Sequence, residues 1–307
     1  MFTAYHLGVS AELRNLNILQ PTTTVSGASG GALAAVLAAL DGKVADADSL
    51  SACTYIAERC RSEGTLGVLR LALDQCLLDL LPKDVHVQLN TRPARAVVAY
   101  TQLAGVRSIP HIIDSFHDKE DLIDCLRASC NIPFYFAAPS LTVPVRGHSA
   151  IDGFFASERS RFGCPSTGAT QHELIICPFR PNVVGLNPHS GDKRMPHATG
   201  FTVPFQAIRA AFPMLKNVIG DAPETREPEQ HEGEKDNQCQ YELLTPALLP
   251  ADMWPFTLPQ LLQLALGPPP LSIGSSEHTY QLLFACGVET VKAWVKIKGE
   301  EGLRVFR

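Results

Sequence analysis

The spacing of apolar positions predicts alternating helices and short strands in the first part of the chain. Apolar residues recur at helical intervals from Tyr5 to Leu16, and the β-branched run from Thr22 to Val25 is typical of a buried strand. A helix rich in alanine and leucine is predicted from Gly30 to Leu40. Two further helical patterns extend over Asp48 to Glu63 and Thr65 to Leu81. This order indicates a mixed α/β chain.

The middle of the chain carries mainly strand patterns. Strand-forming residues recur from Val85 to Thr91, from Arg95 to Gln102 and from Arg107 to Phe116, which predicts a three-stranded meander. A helix with apolar residues on one face is predicted from Lys119 to Cys130. Two short apolar strands follow, within the sequences HSAIDGFFA and HELIICPF.

The composition changes after about Pro181. Residues 221–242 are rich in Glu, Asp, Pro, Gln and Gly and nearly lack apolar residues, which is typical of a solvated linker. We therefore divide the chain into a first domain over residues 1–180 and a C-terminal extension over residues 181–307. The extension is predicted to end in a long helix.

Composition and charge narrow the function classes. Hydrophobic residues make up 45% of the 307 residues and the net charge is −5, so the chain can bury a large core, and nucleic acid is not expected as a partner. The nine cysteines form an odd number, which favours reduced thiols over a complete disulfide framework. Neither a secretory signal, a metal-ligand spacing nor a membrane-spanning run of roughly 18 apolar residues is visible. We therefore expect a cytoplasmic chain without a metal or cofactor.

The most informative motif is the stretch from Gly27 to Gly31, which reads Gly-Ala-Ser-Gly-Gly. It matches the G-x-S-x-G nucleophile elbow, in which a sharp turn from strand to helix presents the serine hydroxyl to solvent. Strand and helix nearly touch at such a turn, so the residues two before and two after the serine must be very small. Here they are Gly27 and Gly31. The N–H of Gly30 opens the following helix and is the first candidate donor to an oxyanion. Ser29 is therefore the candidate nucleophile.

A nucleophilic serine needs a base, and Asp152 is the candidate. It ends an apolar strand and precedes Gly153, although an ordinary Asp-Gly turn has the same pattern. An α/β-hydrolase would add a histidine downstream, such as His172, to complete a Ser-Asp-His triad. That class also places several strands before the elbow, and the 26 residues before Gly27 are too few to form them.

Four motifs occur in order along the first half of the chain: YHLGV (5–9), GASGGAL (27–33), RASCNIPFYFAAP (127–139) and IDGFFA (151–156). In that order and spacing they resemble the patatin-like phospholipase family. The stretches LPKDVHVQLN and DSFHDKEDLIDCLRASCNIP resemble its animal-type branch, which includes adiponutrin and adipose triglyceride lipase. The resemblance covers roughly residues 1–180, the expected catalytic domain.

The resemblance implies a three-layer α/β/α fold with a central, mostly parallel sheet, and a Ser-Asp dyad that hydrolyses acyl esters of lipids. Ser29 would be the nucleophile and Asp152 the base that takes its proton, with Gly30 holding part of the oxyanion. The expected activity is that of an acylglycerol lipase or a phospholipase A. No histidine, metal or cofactor is implied.

The family also carries an N-terminal strand and a glycine-rich loop directly before the helix that contains YHLGV. That loop supplies the remaining oxyanion donors, and the loss of one donor typically costs about 100- to 1000-fold in rate. The sequence begins at Met1-Phe2-Thr3, so we expect both elements to be missing, through a late start or a fragment. The alternative to an impaired hydrolase is a silent patatin-fold protein that binds lipid or a droplet partner.

Two apolar stretches are candidates for contact with a lipid surface: Phe201 to Ile219 and Met253 to Leu266. Both carry Phe, Leu and few charges, which is compatible with insertion at a membrane or droplet, but also with packing in a core. Their low content of Lys and Arg favours a neutral droplet over an anionic bilayer. We therefore expect a cytoplasmic protein that associates peripherally with membranes or droplets, with any protein co-activator unknown.

Overall fold

The computed structural model describes residues 2–105, 107–157, 161, 163–168, 172–180 and 240–306. The α-helices are α1 (Thr3–Asn15), α2 (Gly30–Ala39), α3 (Asp46–Glu63), α4 (Val68–Leu80), α5 (Val85–Asn90), α6 (Lys119–Ser129), α7 (Leu258–Leu266) and α8 (Ser276–Leu303). The strands are β1 (Val25–Ala28), β2 (Ala96–Ala104), β3 (Arg107–Ile113), β4 (Val143–Val145), β5 (His148–Ile151), β6 (His172–Ile176) and β7 (Gln240–Leu244). The mixed α/β content that the sequence predicted is confirmed.

The prediction of a strand over Val85–Thr91 is wrong, because this stretch forms the helix α5. Val85 and Leu89 lie four residues apart and are both buried, whereas Val87 between them is exposed. In a segment this short, the same apolar positions fit a helical and an extended pattern equally well. The predicted meander is therefore reduced to the hairpin of β2 and β3.

The main sheet is organised around β2. Strand β1 pairs with it in parallel, from Val25↔Ala96 to Ala28↔Ala99, whereas β3 and β5 pair with it antiparallel and β4 joins β5 antiparallel. The parallel pairs that the prediction requires are β1–β2, which carries the elbow, and the separate pair β6–β7. The hairpins add antiparallel pairs, because short connections can join only antiparallel neighbours.

Two strands meet end to end along one edge of β2. Strand β3 occupies the other edge over residues 98–104, so β1 and β5 must share the remaining one. Strand β1 reaches Ala28 opposite Ala99, and β5 arrives from the opposite direction with Ile151 opposite Thr101. The residues that follow the two strands, 29 and 152, therefore emerge at the same level of the sheet.

The hydrophobic core consists of two clusters on either side of α2. One cluster packs residues of α2 to α6 against the Ala96, Val98 and Tyr100 side chains of β2. The other is built around α1, α7 and α8. Val36 of α2 belongs to the first cluster and Ala38 to the second, so this helix is anchored from both sides.

The last helix packs closely on the first one. A Cβ added at Gly8 of α1 would lie 2.0 Å from the carbonyl oxygen of Phe284, and one at Gly287 of α8 would lie 2.2 Å from that of Tyr5. Only glycine permits such an approach of two helix backbones. Helix α8 thus shares a core with α1, and the division of the chain near residue 180 stays a prediction. Most of the predicted linker lies outside the described residues, but its end, residues 240–242, lies in β7.

The two apolar stretches proposed for lipid contact differ in what can be said of them. Phe201 to Ile219 lies outside the described residues. In the other stretch, the side chains of Trp254, Phe256, Leu261 and Leu264 are buried in the cluster around α1 and α8. Core packing accounts for these four side chains. Among the described residues, no helix is both long and apolar enough to cross a bilayer.

Candidate active site

The predicted elbow is present between β1 and α2. Ser29 lies directly after the strand and directly before the helix, with φ 54° and ψ −133°. A positive φ is uncommon for a residue with a side chain and indicates local strain that the surrounding structure must stabilise. The sharp turn expected from the motif is therefore observed.

The two elbow glycines differ in the space around them. A Cβ at Gly27 would lie 2.1 Å from the carbonyl oxygen of Gly31, so the strand and the helix touch at this point and no side chain fits. A Cβ at Gly31 would meet nothing within 4 Å. The expectation that both positions must be small holds for Gly27 only. At Gly31 it is the backbone carbonyl that makes the close contact, while the Cα faces open space.

The second candidate residue, Asp152, is brought to the serine. The hydroxyl of Ser29 donates a hydrogen bond of 2.9 Å to Asp152 Oδ2. The other carboxylate oxygen accepts the N–H of Phe154 at 2.8 Å, at the start of a short 3-10 helix over Gly153–Ala156. The carboxyl group is thus oriented by one backbone donor and contacts the candidate nucleophile with its free oxygen.

Burial controls the ionisation of Asp152. The residue is 2% exposed, and this loss of hydration raises the pKa of its carboxyl group from 3.8 to about 7, against the lowering effect of the hydrogen bonds from Phe154 and Ser29. A group with a pKa near neutrality can accept a proton and return it, as a general base requires. The arrangement can therefore activate a serine hydroxyl.

A candidate oxyanion donor lies beside the serine. Gly30 is the first residue of α2, and first-turn N–H groups have no acceptor within their own helix. The positive end of the α2 dipole is directed to the same place. The hydroxyl of Thr3, at the start of α1, donates to the carbonyl oxygen of Gly30 at 3.3 Å and so links α1 to the elbow.

Three residues that hold the pair in place were not singled out from the sequence. Ser129 Oγ accepts the backbone N–H of Ser29 at 2.9 Å, and the carbonyl oxygen of Asn131 accepts that of Asp152 at 2.9 Å. The hydroxyl of Thr101 donates to the carbonyl oxygen of Asp152 at 3.2 Å. The first two belong to the RASCNIPFYFAAP motif, which was noticed only for its resemblance, since nothing in its residue types reveals these contacts.

The alternative with a histidine finds no support in this geometry. Both carboxylate oxygens of Asp152 are engaged, by Ser29 and Phe154. His172 lies on β6, with its ring 5.6 Å from that of Phe306 near the end of the chain. Among the described residues, no group of three or more His, Cys, Asp or Glu side chains is placed to hold a metal ion.

Comparison with known proteins concerns the first half of the chain. The family model described as patatin-like phospholipase matches residues 1–158. This range contains Ser29, Asp152 and the three residues that contact their backbones, and it supports the three-layer α/β/α class that the sequence predicted. A search of curated proteins found no match.

The elbow predicts different effects for two matched substitutions. Gly27→Ala places a methyl group against the backbone of α2, so we expect the free energy of unfolding to fall by about 2 kcal/mol or more. Gly31→Ala adds the same methyl group in open space within a helix and should change stability by less than about 1 kcal/mol, in the stabilising direction. Urea unfolding followed by circular dichroism measures both. Equal effects of the two variants would contradict the close contact at Gly27.

The raised pKa of Asp152 predicts a pH dependence of stability. Between pH 3.8 and about 7 the folded protein retains a proton that the unfolded chain has lost, so this group makes folding less favourable as the pH rises through that interval. Asp152→Asn removes the effect, and its stability relative to wild type should increase from pH 4.5 to pH 8. Urea unfolding at both values measures the difference.

Asp121→Asn is the control with the opposite sign. The side-chain hydrogen bond from Arg146 lowers the pKa of Asp121, so this carboxylate stabilises the folded state above its unfolded pKa. Asp121→Asn should therefore lose stability relative to wild type as the pH rises to about 4, and the difference should then stay nearly constant from pH 4.5 to pH 8. A similar gain in both variants between pH 4.5 and pH 8 would contradict a raised pKa at Asp152.

Proposed function

The chain belongs to the patatin-like phospholipase family, whose members are lipid acyl hydrolases, and from this we propose that it cleaves acyl esters of lipids through a Ser29–Asp152 dyad. The observation that carries the proposal is the 2.9 Å hydrogen bond from the Ser29 hydroxyl to a buried carboxyl group. Membership of the family supports a lipid ester as the substrate, and this contact supports the dyad.

In the proposed acylation step, Ser29 Oγ attacks the carbonyl carbon of the ester. The proton of the hydroxyl passes to Asp152 Oδ2. The π electrons of the carbonyl group move to the carbonyl oxygen, and this oxyanion accepts a hydrogen bond from the N–H of Gly30. The tetrahedral intermediate then re-forms the carbonyl group and expels the alcohol. Asp152 returns the proton to the departing alcohol oxygen. Its carboxyl group is then ionised again, and Ser29 carries the acyl group.

Deacylation repeats these steps with water in place of the serine hydroxyl. Asp152 accepts a proton from the attacking water, and the second intermediate collapses to release the fatty acid. Ser29 recovers its proton from Asp152 as it leaves. Neither step needs a second titratable group, which agrees with a dyad rather than a triad.

Within the family, we propose a substrate of the acylglycerol or phospholipid type. The basis is the resemblance of residues 81–90 and 114–133 to the animal-type branch. A Cβ at Gly31, two residues from the nucleophile, would meet nothing within 4 Å, so space is available near Ser29. A folded protein that binds lipid without turnover would instead support a silent binding role.

The dyad predicts the kinetics of a soluble p-nitrophenyl acyl ester. Ser29→Ala should abolish turnover, and Asp152→Asn should lower kcat by about 100- to 10,000-fold, since it removes the general base. Because the carboxyl group must be ionised, kcat/KM of the wild type should fall as the pH drops through about 7.

Two variants serve as controls for this assay. Ser26→Ala removes a hydroxyl group from β1, the strand that precedes Ser29. This hydroxyl donates to the carbonyl oxygen of Pro165 and not to the candidate site, so the variant should retain turnover. His172→Ala should also retain it, because the dyad does not use a histidine. Turnover that survives Ser29→Ala would refute the proposed nucleophile.

We further propose that the protein is cytoplasmic and reaches its substrate by peripheral association with a membrane or droplet surface. Leu66 and Leu271 are 61% and 70% exposed. They lie on neighbouring loops, since a Cβ at Gly267 would be 3.8 Å from Thr65 Oγ1 and Arg61 donates to the carbonyl oxygen of Pro269. The transfer of such exposed leucine side chains from water into a lipid phase is favourable.

The proposed lipid contact predicts a change in flotation with triacylglycerol emulsions coated with neutral phospholipid. Replacing both leucines, as Leu66→Ser with Leu271→Ser, should lower binding about 30-fold, because each leucine that enters the lipid contributes on the order of 1 kcal/mol. Ile297→Ser, which alters a residue 67% exposed on α8, is the matched control and should bind as wild type does. Equal losses in both variants would exclude a specific role for the two leucines.

A further inference from the structure

One short segment contacts both members of the proposed dyad. The segment Ser129-Cys130-Asn131 ends α6 and lies between the elbow and the end of β5. We propose that this segment sets the separation of Ser29 from Asp152, with Ser129 as the positioning residue for the nucleophile. The inference rests on the proposed dyad and adds a residue that acts through it.

The contact of Ser129 is made to the strained part of the elbow. Its side chain is completely buried, and its Oγ is the acceptor for the N–H of Ser29, at a residue with a φ of 54°. An N–H that is removed from water and lacks an acceptor is costly, so the hydroxyl group stabilises the turn in the conformation that presents the nucleophile. The same oxygen would lie 3.0 Å from a Cβ at Gly153, so Ser129 also touches the residue after Asp152.

The contact of Asn131 is made to the base. Its carbonyl oxygen accepts the N–H of Asp152, and its side-chain amide donates to the carbonyl oxygens of Ala150 and Leu141 at 3.0 and 3.1 Å. Asn131 is itself completely buried. Asn131 therefore holds the end of β5 and Asp152 against this segment in two ways, through its backbone carbonyl and through its side-chain amide.

The segment can act as a spacer because its helix is firmly placed. Leu122 and Leu126 of α6 are completely buried in the core, and Arg127 forms an ion pair of 2.9 Å with Asp74 of α4. Only Cys130 separates the two residues that contact the dyad. Their separation is thus fixed by the covalent chain at the end of an anchored helix, and it is transmitted to Ser29 and Asp152.

The main test is the kinetics of Ser129→Ala with the soluble ester. Without the acceptor, the elbow relaxes and the hydroxyl of Ser29 moves away from Asp152, so we expect kcat to fall about 10- to 100-fold with KM changed less than about twofold. Ser49→Ala is the matched control. Ser49 is also buried in a helix, but its hydroxyl donates to the carbonyl oxygen of Ala45, the residue directly before that helix, and not to the candidate site.

The pH profile gives a readout that a merely structural defect would not move. The hydrogen bond from Ser29 lowers the pKa of Asp152, so its loss in Ser129→Ala should shift the acid limb of kcat/KM to higher pH. The N–H of Phe154 also lowers the pKa of Asp152, and burial raises it. Both act in wild type and variant alike, so the difference between the two profiles isolates the contact with Ser29.

Two measurements keep the inference falsifiable if Ser129→Ala folds poorly. Ser129→Cys preserves the size of the side chain but offers a weaker acceptor, and it should give an intermediate kcat. Amide hydrogen exchange at Ser29, followed by NMR, should be slow in wild type and faster in Ser129→Cys, whether or not the ester is turned over. Unchanged exchange, or a wild-type kcat in both variants, would overturn the role of Ser129.

These outcomes separate the inference from the proposed function. Turnover that depends on Ser29 but not on Ser129 would refute the spacer and leave the dyad intact. Absence of turnover that depends on Ser29, together with faster exchange at Ser29 in Ser129→Cys, would refute the hydrolase and retain the structural part of the inference.

Discussion

The candidate site depends on one hydrogen bond, from the hydroxyl of Ser29 to the carboxyl group of Asp152. The two residues are far apart in the chain, and they meet because β1 and β5 approach each other along the same edge of β2. Ser29 leaves the sheet into α2, while Asp152 leaves it into a 3-10 helix. The contact therefore requires two strands of opposite direction to end at the same level of a third. A shift of either strand by two residues would separate the pair.

Burial of a carboxyl group is unfavourable, and the site tolerates it because every polar group of Asp152 itself is paired. Its two carboxylate oxygens, its N–H and its carbonyl oxygen have partners in Phe154, Ser29, Asn131 and Thr101, respectively. What remains is a pKa near neutrality, which suits a proton acceptor and makes folding less favourable at high pH. The same feature thus links the proposed chemistry to a cost in stability.

The elbow is supported from three directions. Helix α6 supplies the hydroxyl of Ser129 to the N–H of Ser29, Gly27 lets β1 touch α2, and the hydroxyl of Thr3 ties α1 to Gly30. Helix α1 is in turn packed on α8 near the end of the chain. Residues well beyond the range that matches the family therefore contribute to the support of the candidate site.

The sequence by itself determined the elements whose signals are local. The small residues from Gly27 to Gly31 identified the elbow, and apolar periodicity located most helices, because both depend on neighbours in the chain. It failed at Val85–Thr91, where seven residues fit two periodicities, and it extended to Gly31 a constraint that holds for Gly27 only. Only the tertiary structure decided the partners of the site. Ser129, Asn131 and Thr101 act through single hydrogen bonds to residues far along the chain, and a long-range contact of that kind leaves no periodic pattern.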